Sequence, residues 1–193
     1  MKIDFWDDAA ADRRPRAALP ARSRRGLGFT ARAAANHARR ESERTADGVA
    51  VVERGSGLLA RLVAFVIGLP QAGTDIPITV SFRARQGREY WQRNFAGSVF
   101  SSVQQQGRGR FERLVCERFG PLNVGMALVC ERGRIRLVVR CWSVCGIPLP
   151  RALAPRGDSY ECVEAGRFHF HVEIAHPFTG LIVRYRGWLV PRA

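Results

Sequence analysis

The sequence predicts a mainly β protein at the margin of α+β. The expected form is a strongly curved antiparallel sheet or up-and-down β-barrel of about nine or ten strands with one short apolar helix. Three observations lead there. From Ile76 onward, apolar and polar residues alternate at period two, as in strands with one buried face. Tight turns such as Gln86-Gly87, Ala96-Gly97, Arg132-Gly133 and Ala165-Gly166 join these runs, which favours sequential antiparallel pairing. About ten twisted strands paired in order curl on themselves, and the apolar stretch 58–69 (LLARLVAFVIGL) offers a helix to cover the result.

Residues 1–47 are rich in Arg, Ala and Asp and carry no sustained apolar period. They are read as a poorly ordered N-terminal segment, and residues 48–193 as a single β-rich domain. Order is expected to begin with a short strand at 49–54, broken by Gly55-Ser56-Gly57. The helix at 58–69 is too short to span a bilayer. It is expected to be buried against a sheet or barrel end, with docking to a membrane surface as the alternative. Strands then follow around Ile76–Ala84, 89–95 and 98–106. Residues 111–119 are ambiguous between strand and helical turn. Leu122 to Cys130 alternate next, then Ile135, Leu137, Val139 and Cys141 against Arg136, Val138, Arg140 and Trp142. The proline-rich stretch 146–156 (GIPLPRALAPR) cannot be a central strand. Its Ile147, Leu149 and Leu153 are expected to be buried near the helix. The final strands are 159–164, Phe168–Ile174 and 181–190.

Charge and cysteine content narrow the setting. The net charge is +14, and 31 residues are Lys or Arg, of which only Lys2 is lysine. The arginines are scattered along the sequence, which fits compositional bias better than a nucleic-acid footprint. Five cysteines are an odd number, and no secretory leader opens the chain. A reducing, cytoplasmic location is expected.

Few motifs carry chemistry. Gly55–Ala60 fits G-x-G-x-x-A, yet the acidic ribose partner and the βαβ frame of a dinucleotide site are missing, so no NAD(P) binding by this chain is expected. His169, His171 and Glu173 share one face of a strand, and Arg184 and Arg186 follow on the next. These five form the candidate polar cluster. The arginines repel a cation, so a solvated face or an anion patch is expected there, with no metal. Leu62, Phe65, Ile147, Leu149 and Leu153 form the candidate apolar lining of a ligand site. No cofactor is assigned.

Five separated segments resemble one family: VERGSGLLARL, GLPQAGTDIPITVSF, ERFGPL, GIPLPRALAP and GRFHFHVEIAHPFTGLIVRYRGWL. Over about residues 48–191 the chain is similar to the bacterial family catalogued as domain of unknown function DUF4166. The resemblance implies a domain found alone or fused behind an NAD(P)-binding, saccharopine-dehydrogenase-like domain, and brings no catalytic residues with it. The leading expectation is a cytoplasmic β-domain that binds an apolar or amphipathic small molecule, or serves as accessory module to an NAD(P)-dependent reductase-type partner. The alternatives are an enzyme using polar residues inside the barrel and nucleic-acid binding through a basic face.

Overall fold

The computed structural model describes residues 42–192. Ten antiparallel strands close into a barrel. They are β1 (Ser42–Arg54), β2 (Gly73–Arg85), β3 (Arg88–Phe95), β4 (Ser98–Gln106), β5 (Val115–Phe119), β6 (Leu122–Glu131), β7 (Arg134–Val144), β9 (Tyr160–Glu164), β10 (Arg167–His176) and β11 (Gly180–Pro191). An eleventh, β8 (Ile147–Pro148), lies on the β7 edge. The ring runs β6-β5-β4-β3-β2-β1-β11-β10-β9-β7 and is sealed by the β6–β7 hairpin. Helix α1 (Leu58–Ile67) is the only α-helix among the described residues. None of the helices described is long and apolar enough to cross a membrane.

The inward faces follow the alternation in the sequence. Ile78 and Val80 on β2, Trp91 and Phe95 on β3, Phe170 on β10 and Val183, Tyr185 and Leu189 on β11 form one core cluster. Gly187 sits where β10, β11 and β1 crowd: a Cβ there would overlap the Val49 carbonyl oxygen and come within 2.9 Å of Phe170 Cζ. Helix α1 lies on this sheet through Ala60 and Ala64, both buried. Its approach is close because Gly55 has no side chain: a Cβ there would overlap the Leu181 carbonyl oxygen and crowd Ala60. The glycine-rich turn thus seats the helix on the barrel. Gly68, in the left-handed conformation, ends α1 by donating to the last-turn carbonyls.

Three details differ from the sequence expectation. β1 starts at Ser42, ahead of position 49, and pairs with β2 from its first residue. Its inward positions there are Ala46 and Gly48, too small to give a hydrophobic alternation. Next, an extra residue in β7 opposite Gly125 and Met126 shifts the register. The shift moves the face, so Ile135 and Trp142 are both buried although the simple alternation sets them on opposite sides. Last, the proline-rich stretch does form a strand, of only two residues, at Ile147–Pro148. Ile147, expected to be buried, is 64% exposed, while Leu149 and Leu153 are half-buried.

Alternate turns of an up-and-down barrel lie at the same end. One end therefore collects α1 and the turns at 96–97, 120–121, 145–146 and 177–179. The other collects 86–87, 107–114, 132–133 and 165–166.

Candidate functional site

The barrel interior holds a polar cluster that period-two reading passed over. Arg93 sits between Trp91 and Phe95 on the inward face of β3 and is buried with them. Its Nη1 donates to Ser102 Oγ at 2.9 Å and its Nη2 to Glu117 Oε1 at 3.1 Å. The Ser102 hydroxyl donates to the same Glu117 oxygen at 2.6 Å. Aromatic rings enclose the guanidinium, with Trp91 at 4.9 Å and Phe100 at 5.4 Å from ring centroid to Cζ. A buried ion pair needs such extra hydrogen bonds to offset its loss of water.

Tyr185 completes the group. Its ring meets Phe95, Phe100 and Phe170 at centroid separations of 5.4, 6.4 and 6.1 Å. Burial pushes its hydroxyl up to about 12; Arg93 acts in the opposite direction, and Glu117 and Glu161 add to the rise. Gln104, buried on β4, lies in register with Glu117 and shares its face. Next to this set, Val124 pairs with Glu117 and is buried with Met126, Ile135 and Trp142 on β6 and β7, outside the main core cluster. The interior thus sets the charged, hydroxyl-bearing group near Arg93 between two apolar clusters.

The wall is thinnest beside β7. This strand pairs with β9 only through Arg134–Arg136 and with β8 only at Ser143 and Val144. Between those points the connection from Leu149 to Ser159 runs along the edge, held by Leu137 N–H donating to the Ser159 carbonyl and Leu149 N–H donating to the Trp142 carbonyl. A groove of about 540 Å³ opens here, lined by Leu137, Val138, Val139, Arg151, Ala154 and Asp158 among others. That volume is within the usual range for small-molecule sites.

The residues singled out from the sequence lie elsewhere. His169, His171 and Glu173 alternate with the inward Phe168, Phe170 and Val172, so they face outward. Arg184 bridges two carboxylates on this outer wall, through Nε to Glu173 Oε2 at 2.7 Å and Nη1 to Glu53 Oε2 at 2.8 Å. His171 stacks on Tyr160 at 5.0 Å and pairs in register with Arg186. Burial holds the His171 pKa below its ordinary value, against the pull of Asp158 and Glu173. His169 stands between Cys162 and Trp188. Among the described residues no group of three His, Cys, Asp or Glu is arranged to hold a metal. Leu62 and Phe65 project from the outer face of α1, Ile147 from β8, and Leu149 and Leu153 lie half-buried in the connection that follows, outside the lining of the groove.

The fold and site together define a closed antiparallel barrel with a largely apolar interior and, among the described residues, one internal ion pair. Comparison gives the family. The model for the family described as Domain of unknown function (DUF4166) matches residues 32–189, and the chain belongs to that family. The match begins upstream of residue 48 and takes in all of β1. Neither the curated proteins nor the solved structures contain a match to the chain.

Proposed function

We propose that this barrel binds an amphipathic small molecule. The apolar body of the ligand lies against the cluster of Val124, Met126 and Trp142, with its polar group near Arg93, Ser102, Glu117 and Tyr185. The observation that carries this reading is the hydrogen-bonded Arg93–Ser102–Glu117 set inside an otherwise apolar barrel. Such a composition suits a ligand pocket, where a few polar groups orient a mostly apolar guest. We place the ligand's entry at the thin wall beside β7, where a groove of about 540 Å³ lies. All five cysteines are free, and the compartment we assign is the cytoplasm.

Native mass spectrometry of freshly purified protein tests this directly: a bound small molecule is expected, released on denaturation. Titration with the amphipathic dye anilinonaphthalene sulfonate is expected to saturate and to weaken in Tyr185→Phe and Ser102→Ala. A bare protein mass together with dye binding untouched by both variants would sink the reading.

A second reading, recognition of a polyanion such as nucleic acid, is favoured by one observation. The segments at the end opposite α1 (85–88, 107–114, 131–134 and 164–167) hold eight arginines and three glutamates. Binding to single-stranded RNA with a steep salt dependence, lost in Arg88→Gln with Arg132→Gln, is its expected signature.

A further inference from the structure

Eight of the ten large apolar side chains that are exposed among the described residues lie at one end of the barrel. Leu58, Leu62, Phe65 and Val66 fall at helical spacing and form a stripe on α1, whose other face packs through Ala60 and Ala64. Phe65 is 80% exposed. Phe178, 71% exposed, tips the β10–β11 turn. That turn abuts the start of the helix, since a Cβ on Gly57 would lie 3.7 Å from the Thr179 oxygen. Val99 borders the other end of the helix, its carbonyl oxygen 3.8 Å from a Cβ placed on Gly68. Ring contacts lead inward from this turn: Phe178 meets His176 at 5.4 Å, and His176 meets the buried Trp142 at 6.1 Å. Trp142 Nε1 donates to the Pro150 carbonyl, which ties in the connection that carries Ile147.

The charges at this end have one predominant sign. The segments that form it, together with the connection that runs from it along β7 (55–76, 96–97, 120–121, 145–156 and 176–180), contain Arg61, Arg151 and Arg156 against a single acid, Asp75. A surface exposed to water does not ordinarily gather so many large apolar side chains at one end. The apolar groups stand on separate protrusions, a helix and several turns, and interleave with arginine. That relief suits a deformable interface with anionic headgroups better than a flat protein face.

We propose that this end of the barrel docks on an anionic phospholipid bilayer. Leu58, Leu62, Phe65, Val66 and Phe178 enter the acyl boundary, while Arg61, Arg151 and Arg156 meet the headgroup phosphates. The docked orientation places α1 in the plane of the interface and does not require the protein to span the membrane.

The test is co-sedimentation of the full chain with vesicles of phosphatidylcholine alone and of phosphatidylcholine mixed with phosphatidylglycerol. Binding is expected to the mixed vesicles and to fall by roughly tenfold or more for each of Phe65→Asn and Phe178→Asn. Both side chains are exposed, so the melting temperature should not change, and Tyr90→Asn, outside this end, should bind as wild type. Absence of binding to the anionic vesicles, or binding indifferent to both substitutions, overturns the proposal. A dimer in sedimentation velocity that Phe65→Asn dissociates overturns it too, by assigning the face to a second copy of the chain.

Discussion

Arg93 and Glu117 meet at 3.1 Å inside the barrel, with side chains only 10% and 8% exposed. The pair is linked to Ser102 and flanked by Trp91 and Phe100. Removing one partner leaves the other charged and dry. Glu117→Leu is expected to destabilise by about 3–5 kcal/mol, whereas Arg93→Met with Glu117→Leu should recover most of the loss. Urea unfolding of the two single variants and the double variant measures the coupling. A double variant no more stable than the singles would refute the account.

Gly187 offers a backbone test. A side chain there must displace the Val49 carbonyl and the Phe170 ring. Gly187→Ala is expected to cost about 1–3 kcal/mol or more, as overpacking does. A melting temperature equal to wild type would show that β1 and β11 can part without loss.

The proline-rich connection separates into two halves. Leu149 is half-buried and Ile147 is exposed. Leu149→Ala should cost about 1–2 kcal/mol, less than a fully enclosed leucine would. Ile147→Ala should stay within about 0.5 kcal/mol of wild type. Chemical denaturation of the two variants side by side decides this.

Acid sensitivity follows from Asp47 and His171. The hydrogen bond from Arg192, aided by one from Thr79, holds the Asp47 carboxyl below its ordinary value of 3.8. Its folded pKa is depressed, so its stabilising effect is present above pH 3.8 and is lost as pH falls through the folded value. His171 is depressed from 6.5 by burial. Folding therefore favours its neutral form, and stability declines as pH falls below 6.5 toward the folded value. Melting temperature plotted against pH should lose the upper step in His171→Asn and the lower step in Asp47→Asn.

The start of β1 can be located by truncation. Ala46 is buried, Asp47 bonds Thr79 and Arg192, and Ser42–Asp47 pair with β2. Deleting residues 1–47 should therefore lower the melting temperature clearly more than deleting 1–41. Equal melting temperatures would mean that this part of the strand adds nothing.

The barrel was legible because its inward residues are large and regularly spaced, as at Ile78, Val80 and Phe82 or Phe168, Phe170 and Val172. The start of β1 was not, because Ala46 and Gly48 reach the core with almost no side chain. Arg93 and Glu117 were missed for a related reason. Polar letters at inward positions read as breaks in a pattern, and only the register that sets Gln104 against Glu117 brings β4 and β5 together around them. A signal was present in WQRNF, where Arg93 keeps the spacing of Trp91 and Phe95. The arginines look scattered along the sequence for a topological reason: turns many residues apart lie at the same end of the barrel.

The pairing of β1 with β11 has a consequence for synthesis. β1 can zip onto β2 as soon as a hairpin's length of chain has emerged, but its other edge pairs only with Val183–Pro191. Until the last strand leaves the ribosome, that edge stays open with its backbone groups unpaired, a template for pairing with neighbouring nascent chains. Helix α1, which packs against β11, must likewise wait for its seat. The barrel is therefore completed in one late step that joins the first of its described strands to the last, a slow closure because it is long-range.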